Sequence, residues 1–308
     1  MTWVDAEERR RAWWAVYVLD KIICVGSDKR PLCGEPANNE ILPVPDEAWD
    51  SGDASLAIQH TVTSSRLDPQ PPFARLCQAA LLVSKMLRHC QRIKLLKLQH
   101  KLPGNGEVAS LTEGALELAA CAQTEISAQP EKYFALVPAL TLAYSAVFKI
   151  VMTHLHPSAA PPETAPAAAY EDADWAATTT GNNNNNTTPS TQLISYDSQK
   201  KAMTHMHDIV HDITAFISHK EGLAKISPFA LDAIYTAGVT CACWRQQCGL
   251  KTIQKCLAGI RVRWAVTAQY EALLEQHDLA AVSSSSGFSM PLGTMPIVPT
   301  VPSTTMGL

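Results

Sequence analysis

The sequence predicts an all-α, multi-helix protein in two helical halves separated by a disordered insertion. Several segments repeat apolar residues at helical spacing, and the alternation of apolar and polar residues that is typical of strands is nearly absent. Between residues 157 and 192 the composition changes abruptly to Pro, Ala, Thr and Asn. With 308 residues, 46% of them hydrophobic, the chain is long enough to bury a core of its own.

The first predicted helix begins with Asp5 and Glu8, a spacing that resembles a capping box. Its apolar residues occupy two faces. One face carries Ala12, Ala15, Val16, Leu19, Ile22 and Ile23, and the other carries Trp14, Tyr17 and Val18. A helix that is apolar nearly all round is typical of the interior of a helical assembly. We therefore expect this helix to be buried.

After Gly26 the chain contains Pro31, Pro36, Pro43 and Pro45, which predict an ordered but non-helical excursion. Helices are then predicted over 73–102, 111–126 and 133–156. The last of these is also a candidate membrane span. Because Pro138 and Lys149 interrupt its apolar run, we favour a buried core helix.

The second half follows a segment, 157–195, that is too poor in large apolar residues to offset the entropy of ordering it, so we expect a disordered linker. Ala202, Met206, Ile209, Val210, Ile213, Phe216 and Ile217 then form an apolar helical stripe. Ser227 and Pro228 open another helix, and a last one is predicted over 251–276. The resulting boundaries are 1–156, the linker 157–195, a helical segment 196–280 and a disordered tail 281–308.

Composition excludes several classes of protein. A formal net charge of −4 argues against a protein coated in basic surface, and therefore against bulk electrostatic binding of nucleic acid. Nine cysteines, spread widely and odd in number, fit reduced thiols better than a disulfide framework. No N-terminal segment combines a basic region, an apolar run and a cleavage site, so we do not expect secretion.

The candidate metal ligands are weak. Cys241, Cys243, Cys248 and Cys256 lie close in sequence but lack a paired C-x-x-C, and we expect buried core thiols. His207 and His211 are four residues apart on a helix, yet no Glu follows the first His, so a solvated polar face is favoured. His154 and His156, two residues apart, cannot share one helical face.

The sequence also contains no nucleophile elbow, no Gly-rich phosphate loop and no cysteine with a catalytic signature. We therefore predict that the protein is not an enzyme and that this chain binds no cofactor. The enzymatic alternative is a metal-dependent site formed by His205, His207, Asp208 and His211.

Basic residues concentrate between Asp68 and Glu107, a stretch without acidic residues. Lys85, Arg88 and Arg92 lie opposite the apolar stripe of the predicted helix, but the pattern changes phase near Ile93. A solvated helix surface is favoured. Contact of these three residues with nucleic acid or an acidic partner is the alternative.

The stretch from Glu7 to Lys21, EERRRAWWAVYVLDK, is more specific than any of these patterns. It resembles the signature helix of the fungal-specific transcription factor domain, the regulatory middle region of fungal factors with an N-terminal binuclear zinc cluster. Arg30-Pro31-Leu32 and the segment 42–49 follow at comparable distances. The sequence departs from the family at Lys21, where Arg is usual, and at Lys29, where Gly is usual.

Weaker similarity continues along the chain. Leu142, Tyr144, Leu155, His156 and Pro157 resemble the close of a later family helix, and Ser227-Pro228-Phe229 with Ala237 resembles its C-terminal helix. The six cysteines of the zinc cluster are absent from this sequence. The chain is thus expected to be a fragment of a longer factor or a regulator without its DNA-reading domain.

The resemblance implies a nuclear, non-DNA-reading regulator of RNA polymerase II transcription, with zinc only in the absent cluster. The implied partners are a second copy of the chain, transcriptional co-regulators and a small-molecule effector; DNA is reached only indirectly or through a missing N-terminal domain, and no membrane is involved. The alternative is a small-molecule-binding helical module without any DNA role.

The matched residues are expected to be structural: Arg9, Arg10, Arg11, Trp13, Trp14, Tyr17, Asp20, Arg30 and Pro31. The three aromatic residues bring large apolar areas and are expected to anchor the packing of the helix. A buried Asp20 needs a cationic partner, and Arg30, just beyond the following turn, is the candidate.

Overall fold

The computed structural model describes residues 2–27, 29–98, 106–154, 196–244 and 246–285. Within these ranges the chain forms helices and one isolated antiparallel bridge between Ile41 and Thr61, and no strand. The first group is α1 (Trp3–Ser27), α2 (Asp46–Ser51), α3 (Pro72–Leu98), α4 (Gly106–Ala128) and α5 (Tyr133–His154). The second group is α6 (Tyr196–Ile217), α7 (Lys220–Lys225), α8 (Leu231–Cys243), α9 (Gln247–Ile260) and α10 (Val266–Ser285). The predicted all-α class in two helical groups is confirmed.

The two predicted disordered segments fall largely on residues that the structure does not describe. The linker predicted over 157–195 lies outside the described residues altogether. The tail predicted from residue 281 starts too early, because α10 continues to Ser285. The remainder of that tail, 286–308, also lies outside the described residues.

Helix α5 is the centre of the fold. It packs against α1, α3, α4, α6 and α8, and every residue from Leu136 to Phe148 is buried. Among the described residues it is the one helix long and apolar enough to cross a membrane, and 83% of its apolar window is buried inside the protein. This burial favours the predicted core helix over a membrane span.

The two helical groups share one hydrophobic core. The cluster of buried apolar side chains runs without interruption from Trp14 in α1 to Leu274 in α10. Helix α8 connects the groups, because it packs on α5 and also contacts α1. The sequence separates the groups with a long insertion, but α5 packs against helices of both groups.

The start of α1 differs from the prediction. The capping box is formed by Thr2 and Asp5, not by Asp5 and Glu8: the Asp5 backbone N–H donates to Thr2 Oγ1 (3.1 Å), and the Thr2 N–H donates to Asp5 Oδ2 (2.8 Å). Reciprocal bonds of this kind satisfy backbone donors that a helix N-terminus leaves without partners. The helix therefore begins at Trp3.

The expectation that α1 is buried all round is wrong. Trp14, Tyr17 and Val18 are buried, whereas Val16, Leu19 and Ile23 are 59%, 45% and 53% exposed. Helix α1 lies at the edge of the helical assembly, where α3, α5 and α8 contact it from one side. Its second apolar face is consequently left at the surface of the described chain.

The single last helix predicted over 251–276 is two helices, because the chain turns at residues 261–265 between α9 and α10. Trp264 lies at the turn and donates from Nε1 to the carbonyl of Ile226 (3.3 Å). The turn lets α10 fold back onto α8 and α9. Neither Gly nor Pro marks this turn, so the local sequence carries no signal for it.

The contact of α8 with α10 depends on Gly238. A Cβ at this position would lie 2.8 and 2.9 Å from the two methyl groups of Leu274 and 3.2 Å from Ile253. Gly238→Val is expected to lower the free energy of unfolding by about 1–3 kcal/mol because it overpacks this contact. Denaturant unfolding measures the change. Gly34→Ala is the control, since a Cβ at Gly34 meets no atom within 4 Å.

The junction of α1, α5 and α8 contains a half-buried acid, Asp232. Burial raises the pKa of Asp232 to about 6, although the charge of Lys149 opposes the shift. In the unfolded chain the same carboxyl ionises near its ordinary value of 3.8. Between these two values the folded protein retains a proton that the unfolded chain releases, so stability falls as pH rises from about 4 to 6.

Asp232→Asn is expected to remove this pH dependence. The variant and the wild type should have similar stability at pH 4, where both side chains are neutral. Above pH 6 the variant should be the more stable, because it carries no charge in this partly desolvated position. Urea unfolding of both proteins across this range gives a difference curve in which the other titrating groups cancel. A flat difference curve would contradict the assignment.

Candidate functional site

The residues that resemble the family signature form one continuous contact, which we call the signature zipper: side chains of α1 at positions 7–21 bound to the segment 32–46. The helix and the segment run in opposite directions. Position 20 of the helix contacts residues 32 and 33, position 17 contacts 35, position 14 contacts 41, and positions 7 and 11 contact 44 and 46. Contacts at successive turns of one helix face hold a segment without regular structure against the bundle.

At the C-terminal end of the zipper, Asp20 binds the turn at Leu32 and Cys33. Its carboxylate accepts the backbone N–H groups of Leu32 (2.9 Å) and Cys33 (3.1 Å). Lys21, whose side chain is fully buried, donates to Asp20 Oδ2 and to the Cys33 carbonyl, both at 2.9 Å. Its ammonium also lies 4.3 Å from the centroid of the Tyr17 ring.

The predicted pairing of Asp20 with Arg30 is wrong. The partners of Asp20 are Lys21 and two backbone N–H groups, and Arg30 is exposed on the loop. Burial alone would raise the pKa of Asp20, but the backbone hydrogen bonds and Lys21 outweigh it and lower the pKa of this carboxyl. Lys21, a departure from the family pattern, thus supplies the positive charge that Asp20 requires.

The middle of the zipper centres on Glu35. The Tyr17 hydroxyl donates to Glu35 Oε2 (3.4 Å), and the Ser84 hydroxyl donates to Glu35 Oε1. Arg88 of α3 lies 3.7 Å from the same carboxylate. Burial raises the pKa of the Tyr17 phenol, so the hydroxyl stays protonated and acts as a donor. Glu35 therefore joins α1, α3 and the loop.

The two adjacent tryptophans have different roles. Trp14 is fully buried and donates from Nε1 to the carbonyl of Ile41 (2.9 Å). Trp13 is 42% exposed and stacks on Tyr17, with ring centroids 5.5 Å apart. Trp14 and Tyr17 thus pack in the core, whereas Trp13 covers them from the outside.

The N-terminal end of the zipper is a buried ion-pair network around Glu7. Glu7 accepts the backbone N–H of Val44 (3.0 Å) and bonds from Arg10 and Arg11. Arg11 also donates to the Val44 carbonyl (2.8 Å) and to Asp46 (2.7 Å). Its guanidinium lies 4.5 Å from the centroid of the Trp49 ring. Arg10 and Arg11 are thus structural ties between α1 and the segment that leads into α2.

Three signature residues lie outside these contacts. Arg9 is exposed on α1, Arg30 is exposed on the loop, and Pro31 is half-buried at the start of the loop. In contrast, three residues that the sequence pattern did not single out are central: Glu7, Lys21 and Glu35. Glu7 and Lys21 could have been found as charged residues on the face of α1 that carries Trp14 and Tyr17.

The three basic residues of α3 do not form an open cationic surface. Arg88 faces Glu35, and Arg92 pairs with Glu107 at the start of α4. Lys85 is exposed. No acidic residue is near these three residues in the sequence. In the folded structure, however, the loop and α4 place the carboxylates of Glu35 and Glu107 beside Arg88 and Arg92. This arrangement favours the solvated helix surface.

The histidines of the enzymatic alternative point in different directions. His205 stacks on Tyr144 and shares a hydrogen bond with Gln123 (3.0 Å), whereas His207 lies 3.7 Å from the Cys241 sulfur. Burial lowers the pKa of both imidazoles. His211 is exposed. The expected solvated face is therefore wrong for His207, which packs against Cys241. His205 lies 3.9 Å from Asp208 and packs on a different side of α6, against Tyr144.

The cysteines of the second group are also divided. Cys241 and Cys256 are buried, and burial raises the pKa of their thiols to about 12 and about 11. Cys243 and Cys248 are exposed, so the prediction of buried core thiols is wrong for these two. Among the described residues no group of three or more His, Cys, Asp or Glu side chains is placed to hold a metal ion.

His154 has a role that the sequence pattern did not indicate. Its Nε2 lies 3.0 Å from Nε2 of His89 on α3, and Nδ1 of His89 lies 2.8 Å from Glu107. The pair joins the end of α5 to α3 and α4. Burial lowers the pKa of His89, and the charge of Arg92 adds to the shift. His156, two residues after His154, lies outside the described residues.

One described cleft, on α4, can be compared with the pocket that a small-molecule effector would need. It is open to solvent and is lined by Arg66, Ser110, Glu113, Gly114 and Glu117. Arg66 and Glu117 lie 3.5 Å apart across it. An apolar pocket between helices would favour an effector-binding module. This cleft is polar and open, so it does not favour one.

Comparison with known proteins confirms the resemblance seen in the sequence. A model of the fungal specific transcription factor domain matches residues 1–112, which include α1, the whole signature zipper and α3. The chain is also similar to the pigment biosynthesis transcriptional activator pigB of Monascus ruber, with 26% identity over 97 residues. That similarity covers 31% of this chain and 18% of the relative, so the chain aligns with less than a fifth of that protein. No solved structure matches the chain significantly.

Proposed function

We infer, from the match of residues 1–112 to the fungal specific transcription factor domain, that this chain is the regulatory, non-DNA-reading part of a fungal-type transcription factor. It acts in the nucleus and controls transcription by RNA polymerase II. The similarity to a transcriptional activator supports the same role. Zinc and direct DNA contact are assigned to the N-terminal cluster of the family, and that assignment stays a prediction.

The observation that carries the proposal is the signature zipper itself. It lies entirely within the residues that match the family, and it uses the arginines of the signature to hold the segment 32–46. Because Arg10 and Arg11 are committed to Glu7 and Asp46, they are not presented to phosphates. A helical scaffold whose signature residues Arg10 and Arg11 pair with carboxylates suits a domain that receives or transmits a regulatory signal.

A reporter experiment tests the proposal. The 308-residue chain is fused to a foreign DNA-binding domain, and transcription from a promoter carrying its site is compared with that given by the DNA-binding domain alone. We expect a reproducible increase or decrease. The change should disappear with Asp20→Asn, which breaks the zipper, and persist with Arg30→Ala, which does not touch it.

The fusions must be compared at equal nuclear abundance, which immunoblotting of nuclear extracts measures. An unchanged promoter at equal abundance of a folded fusion contradicts the proposal. Stoichiometric binding of a metal by the purified chain, with loss on replacement of His205 or His207, would instead favour the enzymatic alternative. Stabilisation by a small molecule without any transcriptional effect would favour the effector-binding module.

A further inference from the structure

A thiol, a thioether and an imidazole meet between α6 and α8. The Cys241 sulfur on α8 lies 3.8 Å from the thioether sulfur of Met203 and 3.7 Å from Nε2 of His207. Met203 and His207 are four residues apart on α6, so they lie on the same face of that helix. Cys241 and Met203 are buried, whereas His207 is half-buried and gives the group an entry path from solvent.

The separations of these atoms are those of ligands that share one metal ion. With a metal–nitrogen bond of about 2.0 Å, metal–sulfur bonds of about 2.3 Å and angles of about 110–120°, nitrogen and sulfur ligands lie about 3.5–3.7 Å apart. Two sulfur ligands then lie about 3.8–4.0 Å apart. The observed 3.7 and 3.8 Å agree with both ranges.

The thiol proton alone does not satisfy this arrangement. The amide oxygen of Gln246 also lies near the Cys241 sulfur, at 3.9 Å, so three polar or soft atoms surround one thiol. A thiol has one proton and can donate it to only one of them. A cation in the middle of the group could bind several of these atoms at once.

The protonation states suit a set of metal ligands. Burial lowers the pKa of the His207 imidazole, so the ring is neutral near pH 7 and can offer a lone pair. Burial raises the pKa of the Cys241 thiol to about 12, so a bound metal must displace its proton. The thiolate is then the one negative charge among the three ligands. A monovalent cation neutralises it, whereas a divalent cation would leave a net positive charge in a buried position.

Helix α9 leaves space beside the donors at Gly249. A Cβ at this position would lie 2.6 Å from Nε2 of His207 and 3.1 Å from the Cys241 sulfur. Both donor atoms therefore face the same gap, and any residue other than glycine would fill it. The glycine keeps this gap free of a side chain.

We propose that Met203, His207 and Cys241 bind one Cu(I) ion between α6 and α8. Thiolate and thioether are soft ligands that select Cu(I), and the charge of this ion matches the single thiolate. Zinc also binds thiolate and imidazole, but thioether is not among its usual ligands. Met203 is therefore the ligand that distinguishes a copper site from a zinc site. The inference stands on the geometry of the second helical group and does not depend on the transcriptional role.

An anaerobic titration of the full chain with Cu(I), in competition with a Cu(I) chelator such as bicinchoninate, tests the proposal. Cys243 and Cys248 are replaced by serine in every protein compared, because their exposed thiols could also bind the ion. We expect one Cu(I) per chain. Cys241→Ser and His207→Ala should each raise the dissociation constant by about tenfold or more, since even changes beside a metal ligand cost about 10–100-fold.

Met203→Leu is the most specific variant, because it keeps the volume and apolar character of the side chain and removes only the thioether. It should raise the dissociation constant by about tenfold while circular dichroism shows the fold unchanged. Met206→Leu is the matched control, since Met206 is a buried methionine of the same helix outside the group, and it should leave the constant unchanged. X-ray absorption at the copper edge should show two sulfur ligands at about 2.3 Å in the parent protein and one in Met203→Leu.

Three outcomes overturn the proposal. The first is a folded chain that binds Cu(I) no more tightly than about 1 µM. The second is tight binding that Met203→Leu and His207→Ala leave unchanged, because other thiols then hold the ion. The third separates this site from the enzymatic alternative, which also uses His207: a stoichiometric divalent metal that is lost with His205→Ala and retained with Met203→Leu. All three are independent of the reporter experiment, so a failed copper site and a failed regulatory role are distinguishable.

Discussion

Trp14→Ala is expected to lower the free energy of unfolding by about 3–5 kcal/mol. Trp14 is fully buried among the core residues of α1, α3 and α5, and truncation to alanine leaves a large cavity there. The substitution also removes the hydrogen bond from Nε1 to the Ile41 carbonyl, which is the middle tie of the zipper. Equilibrium unfolding in urea, followed by circular dichroism, measures the loss.

The neighbouring tryptophan is the control for this result. Trp13→Ala deletes an identical side chain one position earlier, but Trp13 is 42% exposed and stacks on Tyr17 from the solvent side. We expect a cost of about 1 kcal/mol, mainly from the lost stacking. Equal losses for the two variants would mean that the two faces of α1 are wrongly assigned.

Asp20→Asn is expected to cost about 3–5 kcal/mol, because it leaves the fully buried ammonium of Lys21 without its counter-charge. The amide retains the size of the carboxylate but lacks its charge, and it has one oxygen for the two backbone N–H groups of Leu32 and Cys33. The turn at these two residues should loosen. Amide hydrogen exchange at Leu32 and Cys33 should therefore accelerate along with the global loss of stability.

The pH dependence of this variant follows from the lowered pKa of Asp20. The wild-type advantage should be fully present above the ordinary Asp pKa of 3.8 and should be lost as pH falls through the lower pKa of the folded protein. Arg30→Ala is the control. Because Arg30 is exposed, its removal should cost no more than about 0.5 kcal/mol. A loss of stability as large as that expected for Asp20→Asn would instead support the pairing of Asp20 with Arg30 that the sequence predicted.

These two predictions concern the same structural idea. In the sequence, the signature is a set of arginines, aromatic residues and an acid at helical spacing. In the structure, it is a set of contacts from successive turns of α1 to the segment 32–46. Tyr17, Trp14 and Glu7 each bind one point of the segment 35–44. A regulatory domain needs this segment fixed if the surfaces on either side of it are to keep a constant shape.

Sequence patterns were sufficient for several elements because their cause is local. The apolar stripe of α6 repeats at helical spacing, and Met206, Ile209, Val210 and Ile213 are buried as predicted. Pro228 marks the start of the turn into α8, where the Ser227 hydroxyl accepts the Phe229 N–H (3.3 Å). In both cases the information lies within a few residues of the element it determines.

Other features depend on residues far apart in sequence. The sequence suggested Arg30 as the partner of Asp20, but the chain folds back so that the backbone N–H groups of Leu32 and Cys33 reach the carboxylate, and the cation beside it is the adjacent Lys21. Arg92 has no acid near it in sequence, yet the packing of α4 on α3 gives it Glu107. Ion pairs of this kind are decided by which helices meet.

By itself, the sequence determined that this protein is helical, where most helices lie and which residues of α1 form a signature, because helix periodicity and capping are local properties of the chain. Only the tertiary structure decided which face of α1 is buried. Both faces are apolar, so hydrophobicity alone cannot choose between them. Helices α3, α5 and α8 meet the face that carries Trp14 and Tyr17, and the same face provides the charged and hydrogen-bonding groups that hold the segment 32–46.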